Sequence, residues 1–231
     1  MDIQVKDHAT AKPGLELDLI ADLSCPWSYL GKRRLEHALE SVYGAPVLAL
    51  RWHGLRVSEA PLGWKAYLAS RLPQGLDVEL AERSLHEAGT VLGIGFRFDR
   101  IAQVPNTLEA HRFVKLAARE GRQGAAVDAV FEAFFEEGRD IGSRDVLSEI
   151  AQDLRVTSSV TDAFANAMQG LDEVTSEEQR LRSLGVAAVP NLLINGHILV
   201  PGPAETSTYV QAIDQALFPQ LAAPAAKRAL H

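Results

Sequence analysis

The sequence predicts an α/β protein whose sheet-forming segments lie near its two ends and are separated by an inserted all-helical block. Three observations carry that reading. An alternating apolar and acidic run stops just before a lone cysteine and passes into a helix-patterned segment. A long middle stretch is dominated by helix formers. Near the end, an Asn-Gly pair divides two short apolar runs ahead of a last helix. The 231 residues are 47% apolar and 23% charged with a net charge of −7, so the chain can bury one or two sizeable cores and stay soluble.

Taken in order, the run Leu15 to Leu23 begins with period-two alternation, the mark of a half-buried strand. Pro26 suits a first helical position, and Trp27, Leu30, Arg34, Leu35, Ala38 and Leu39 continue at helical spacing to about Val42. After Gly44-Ala45-Pro46 a second strand is expected from Val47 to Trp52, and the helix between the two is long enough for a right-handed parallel crossover. The middle gives candidate helices at Trp64 to Arg71, Asp77 to Leu92, Thr107 to Glu120, Gly124 to Glu137, Arg144 to Asp153 (with Ser143 as N-cap), Ser159 to Met168 and Glu173 to Leu184. Strands at Asn191 to Ile194 and His197 to Val200 flank Asn195-Gly196, a strong hairpin signal, and a helix from Glu205 to Leu217 follows. Residues 1–60 and 185–217 read as two parts of one domain, 61–184 as the helical insertion, and 218–231 as a loose end or docking tail. That order, β-α-β, helices, β-hairpin and α, is the order of a thioredoxin fold interrupted by an inserted all-helical domain.

Composition also excludes. A single cysteine rules out an internal disulfide and argues against a thiolate zinc site, so no metal is expected. The acidic balance speaks against nucleic acid or an anionic membrane as partner. The longest basic cluster, Lys32-Arg33-Arg34, reads as a solvated helix face. Met1 to His8 lacks a basic start followed by an apolar run, and no segment approaches a membrane span, so the cytoplasm is the expected location.

The chemistry-bearing feature is Cys25. At a strand end and a helix start it meets unpaired backbone N–H groups and the positive end of the helix dipole, which predict a depressed thiol pKa. The plainer alternative is a small buried hydrophobe, the commoner state of a free cysteine. Far along the chain, Gly185-Val186-Ala187-Ala188-Val189-Pro190 places a proline directly before a strand, which a cis Val189-Pro190 bond would explain. A trans proline opening the strand is the alternative, since only about one X-Pro bond in twenty is cis in folded proteins.

Asp22-Leu23-Ser24-Cys25-Pro26-Trp27-Ser28-Tyr29-Leu30-Gly31-Lys32-Arg33-Arg34-Leu35-Glu36 resembles the active-site helix of the DsbA-like thioredoxin-domain family, FrnE type. The segments Pro105 to Arg112 and Phe134 to Ile141 are similar to that family's helical insertion, and Gly185 to Pro190 to its cis-proline loop. The resemblance spans roughly residues 15 to 215. It implies Cys25 facing the loop across a groove, with a thiol, disulfide or glutathione conjugate as substrate. In that picture the catalytic residues are Cys25 and Ser28, while Pro26, Trp27, Val189 and Pro190 form the substrate-binding surface. Val189 would offer its backbone to an extended peptide or to glutathione. No cofactor is held tightly, glutathione is the candidate cosubstrate, and a homodimer is suggested by analogy.

The sequence departs from the family pattern at Ser28, where the FrnE type carries a second cysteine. Without that resolving thiol, a mixed disulfide on Cys25 must be released by an outside thiol such as glutathione. Relatives similar in the same motifs, the kappa-class glutathione transferases and 2-hydroxychromene-2-carboxylate isomerases, carry serine at the position of Cys25. They place a Ser-Asp pair where this chain has Pro203-Ala204. Three readings therefore stand: a monothiol thiol-disulfide oxidoreductase, a glutathione-dependent isomerase or transferase, and a non-catalytic peptide binder. Ser28 is read either as a partner of the Cys25 sulfur or as a cap. Trp27 and Tyr29 are either groove residues or packing residues, and His53 and His111 are read as surface or core histidines.

Overall fold

A computed structural model describes residues 14–42, 47–58 and 61–219; the N-terminal stretch, the Gly44-Ala45-Pro46 turn and the expected docking tail from residue 220 lie outside the described residues. Strand β1 (Leu15–Ala21) buries Leu15, Leu17 and Leu19 while Glu16 and Asp18 face the other way, as its alternation requires. It pairs in parallel with β2 (Val47–Gly54) through the crossover helix α1 (Pro26–Ser41). On its other side β1 pairs antiparallel with β3 (Asn191–Ile194), which in turn pairs with β4 (Ile198–Pro201), giving the sheet order β2-β1-β3-β4. The hairpin turn holds Asn195 and Gly196 at positive φ (50° and 72°), the conformation that favours this pair of residues. His197 belongs to that turn rather than to the strand, its N–H donating to the Ile194 carbonyl.

Among the described residues, seven α-helices run between β2 and β3: α2 (Trp64–Arg71), α3 (Val78–Val91), α4 (Leu108–Ala118), α5 (Gln123–Phe135), α6 (Arg144–Asp153), α7 (Ser158–Ala165) and α8 (Leu171–Ser183). Helix α9 (Thr206–Leu217) closes the order. This is the mixed α/β architecture expected, a thioredoxin fold with a helical insertion. Its main apolar core is continuous across both parts. Tyr29 on α1 stacks on Phe131 of α5 at 4.6 Å, and Trp52 of β2 meets the edge of the same ring at 5.6 Å. Aromatic pairs of this kind add about 0.5–1.5 kcal/mol each beyond area burial, so the helices are fastened to the sheet rather than hung from it.

Two expectations are corrected. The Lys32-Arg33-Arg34 triplet is not a solvated face: Lys32 is buried between Glu36 and Asp128, and Arg34 ties α1 to the Pro203 carbonyl (2.7 Å) and the Glu205 carboxylate (2.8 Å). Glu36 is one turn along α1, but Asp128 and Glu205 lie far away in sequence, where local pattern does not reach. Helix α7 also stops at Ala165, three residues early, because Arg112 and Arg144 draw the carbonyls of Phe164, Ala165, Asn166 and Gln169 away from the helical ladder. Ser143 stands at the N-cap position of α6, though its hydroxyl makes no capping bond.

Candidate active site

The site is built at the end of β1, where Asp22 breaks the apolar run and turns inward. Its fully buried carboxylate accepts four hydrogen bonds: Oδ1 from the Thr107 hydroxyl (2.8 Å), the Ser24 N–H (3.2 Å) and His111 Nε2 (3.3 Å), and Oδ2 from the Val57 N–H (2.8 Å). Burial alone pushes this carboxyl up. The bonds from His111, Val57 and Thr107 outweigh it and hold Asp22 below the ordinary carboxylate range, so it is a buried anion. Gly54 makes room for the histidine, since a Cβ there would sit 2.5 Å from His111 Nδ1.

This anchor shapes the turn that presents the cysteine. The Cys25 N–H donates to the Asp22 carbonyl (3.1 Å), and Cys25 itself takes an extended conformation (φ −94°, ψ 115°) as the N-cap residue of α1. Pro26 then occupies the first helical position, where its missing N–H costs nothing. Cys25 is only 2% exposed. Burial pushes its thiol up to about 11, against the pull of the Ser28 hydroxyl and the Ser28 and Trp27 amides, while the Asp22 charge pushes the same way as burial. The depressed pKa expected from the helix terminus is therefore reversed. The amides are present as anticipated, but the sulfur has lost its water.

Ser28 is completely buried under the cysteine, its Oγ accepting from the Asp22 N–H (3.3 Å) and its hydroxyl directed to the Cys25 sulfur. It thus acts both as a partner of the sulfur and as a brace of the turn. The Val189-Pro190 bond is cis. Pro190 packs directly on α1, where a Cβ at Gly31 would lie 3.1 Å from Pro190 Cγ and 3.3 Å from the Tyr209 hydroxyl oxygen. Val189 has no backbone hydrogen-bond partner among the described residues.

A groove of about 630 Å³ opens over the sulfur, lined by Cys25 and Trp27 on one side and Ala187 to Val189 on another. Of the residues singled out in the sequence, Cys25, Trp27 and Val189 meet in this groove; Pro26, Ser28 and Pro190 stand behind its wall. Tyr29 turns away, its ring in the aromatic core and its hydroxyl on Glu136 (2.8 Å). The third wall comes from the end of α2 and the loop after it, including Arg71, Leu72 and Leu76. Sequence reasoning missed that wall, and it missed Asp22, Thr107 and His111. The one local signal was an acid ending an apolar run, and nothing in sequence links it to residues 85 and 89 positions away.

Among the described residues no cluster of His, Cys, Asp and Glu is arranged to hold a metal, and no helix is long and apolar enough to cross a membrane. In sequence, a Bacillus subtilis protein, YwbO, of uncharacterised function, is 22% identical over 206 residues, covering 86% of this chain and 96% of that one. In structure, a probable DsbA oxidoreductase from Streptomyces coelicolor is similar with a TM-score of 0.76 at 23% identity, over 87% of this chain and 89% of that one. A 2-hydroxychromene-2-carboxylate isomerase gives 0.66 at 16% identity over 88% and 97% of the two chains. The cytosolic disulfide reductase DsbM from Pseudomonas aeruginosa, solved with glutathione, gives 0.59 at 20% identity over 88% and 96%. These likenesses concern the fold. The family model of the DSBA-like thioredoxin domain matches residues 16–214, the stretch that carries the sheet, the Cys25 turn and the cis-proline loop, and the chain belongs to that family.

Proposed function

We propose that the protein is a monothiol disulfide reductase in which Cys25 exchanges with a disulfide substrate and an external thiol, glutathione being the fitting one, releases the product. The observation that carries this reading is the placement of Cys25. It lies at the floor of a groove, beside the backbone of Val189, which is unpaired among the described residues, with a serine hydroxyl where a resolving thiol would stand. The Cys25 thiolate attacks one sulfur of the substrate; the S–S bond breaks, the other sulfur leaves as a thiol carrying the proton that Cys25 lost, and a mixed disulfide forms. A glutathione thiolate then attacks the substrate sulfur of that mixed disulfide and expels Cys25, which is reprotonated; a second glutathione attacks the glutathione sulfur of the resulting glutathione–substrate disulfide, releasing the second substrate thiol and leaving glutathione disulfide. The electrons come from the external thiols.

The direction follows from acidity. A cysteine whose thiolate is stabilised makes an oxidising disulfide, whereas one whose thiolate is disfavoured gives up electrons readily. Cys25, pushed up to about 11, belongs to the second kind. A higher pKa also raises the intrinsic nucleophilicity of the thiolate that does form, partly offsetting its scarcity. The cytosolic disulfide reductase among the structural relatives acts in the same direction by its description.

Reduction of a small disulfide should be lost in Cys25→Ala, and mass spectrometry should find glutathione on Cys25 of the native protein after exposure to glutathione disulfide. Turnover that persists in Cys25→Ala would sink the proposal. A second reading is favoured by one observation: a thiol protonated at neutral pH donates a hydrogen bond, as Cys25 would to a bound glutathione thiolate in an isomerase or transferase. Cys25→Ser separates the two, being inactive in the first and active in the second.

A further inference from the structure

A second cavity, of about 350 Å³, adjoins the groove and shares Val57, Arg71 and Ala187 with it. Its lining is one-sided in charge: Arg56, Arg71 and Arg182 contribute to it and no carboxylate does. Two of these guanidinium groups are held in place. Arg56 Nε donates to Glu178 (2.8 Å), and Arg182 donates to the other oxygen of Glu178 (2.7 Å) and to the Arg56 carbonyl (2.6 Å). Glu178 is nearly buried and offsets one positive charge of the pair.

A purely structural role, tethering α8 to the segment after β2, accounts for Arg56 and Arg182. It does not account for Arg71. Arg71, the last residue of α2, has the Ser70 hydroxyl at 3.4 Å and no carboxylate among the described residues, and it faces both cavities. On a chain of net charge −7, a cavity lined only by arginines and apolar residues is a local concentration of positive potential.

We propose that this arginine chamber takes a carboxylate of a small thiol or disulfide whose sulfur lies at Cys25; this rests on the exchange role of Cys25 and adds the substrate's charge to it. Guanidinium forks match the two oxygens of a carboxylate, and the shared lining lets one molecule span both cavities. The Pro203-Ala204 segment bears no polar side chain and its carbonyls accept hydrogen bonds from Arg34, so it offers an anion no side-chain donor, and the arginine side of the groove is where the anionic end of the substrate is placed.

The test compares three small disulfides at equal concentration and low salt: 3,3′-dithiodipropionate, bis(2-hydroxyethyl) disulfide and cystamine, which are anionic, neutral and cationic. The readout is the rate of mixed-disulfide formation on Cys25, followed by mass spectrometry. The native protein should rank them in that order. Arg71→Gln should lower the ratio of anionic to neutral rates on the order of tenfold, the scale of one charge-assisted bond. High salt should lower it in the native protein. Arg97→Gln, which removes a distant surface charge, should leave the ratio alone. An equal ratio in native protein and Arg71→Gln overturns the chamber. If none of the three disulfides reacts, the exchange role of Cys25 falls, and the chamber is then judged by S-methylglutathione, which has carboxylates but no thiol. Its affinity, measured by calorimetry, should weaken on the order of tenfold in Arg71→Gln; unchanged affinity, or no binding to the native protein, overturns the chamber as well.

Discussion

Replacing Asp22 by Asn tests the anchor beneath the cysteine, because it keeps the shape and removes only the charge and one acceptor. If the amide oxygen takes the place of Oδ1, the bonds from Thr107, Ser24 and His111 survive, but to a neutral acceptor about half as strong. The amide NH2 then confronts the Val57 N–H, two donors facing each other in a site without water access. An unsatisfied buried donor costs about 1–3 kcal/mol. With the weakened bonds the total is about 3–5 kcal/mol, the usual scale for breaking a buried ionic contact. For a chain of this length that corresponds to a fall in Tm of about 6–20 °C, observable by calorimetry, with enough stability left to fold. The same substitution deletes the negative charge that pushes Cys25 up, so the midpoint of pH-dependent alkylation should move below the native value of about 11. A Tm close to native would refute the hydrogen-bond accounting, and an alkylation midpoint unmoved or raised would refute the electrostatic one.

Other outcomes follow from the same contacts. Ser28→Ala removes the hydroxyl at the Cys25 sulfur, so its alkylation midpoint should rise further; a fall would mean the hydroxyl does not hold the thiolate. Gly31→Ala forces a methyl against Pro190 and the Tyr209 hydroxyl, and equilibrium unfolding in urea should show a loss of about 1–3 kcal/mol, whereas a neutral result would mean α1 can slide from the loop freely. Stability should also depend on His53, whose ring nitrogens meet Asp18 and Glu177, each at 2.8 Å. Burial pushes His53 down, but the Glu177 and Asp18 bonds outweigh it and raise its pKa. Its contribution is thus full below an unfolded value of about 6.5 and fades as pH climbs through the raised value. Asp18 and Glu177 are held low, so their contribution fades as pH falls below about 4. His53→Gln should flatten the alkaline limb of a stability profile measured by urea unfolding; an unchanged limb would remove His53 as its source.

What could be read from the sequence was local. The alternation of Leu15 to Ala21, Pro26 at the helix start and Asn195-Gly196 at the hairpin each act within a few residues, and the elements they announce are in place. The strand-helix junction at Cys25 and the proline-led strand after Val189 are local patterns as well, whereas the meeting of Cys25, Trp27 and Val189 at one groove was implied only by the family resemblance. The acidity of Cys25 was not legible, because it depends on how deeply the folded chain buries the sulfur and on the Asp22 charge beside it. Charge environments were misread for the same reason: Lys32 and Arg34 meet partners 96 and 171 residues on, beyond any window of periodicity.

These long-range contacts say what the helical insertion does for the chemistry. A bare strand-turn-helix would leave the Asp22 carboxylate and the Cys25 turn facing solvent, with the dipole of α1 free to lower the thiol pKa. Here Thr107 and His111 of the α4 region reach Asp22 from one side, Val57 reaches it from the strand side, and the end of α2 walls the groove above the sulfur. With these contacts in place Cys25 is a buried, weakly acidic thiol, the property on which the proposed reductive direction rests. The insertion also supplies Arg71 and Arg182, so the segment that suppresses the thiolate also lines the route by which an anionic substrate would reach it. Trimming the wall formed by the loop after α2, for example with Leu72→Ala and Leu76→Ala together, should then open the site to water, lowering the Cys25 alkylation midpoint while raising its reactivity toward neutral and charged alkylating agents alike. If the midpoint stays near 11 in that variant, the burial that sets Cys25 comes from the Asp22 anchor rather than from the groove wall.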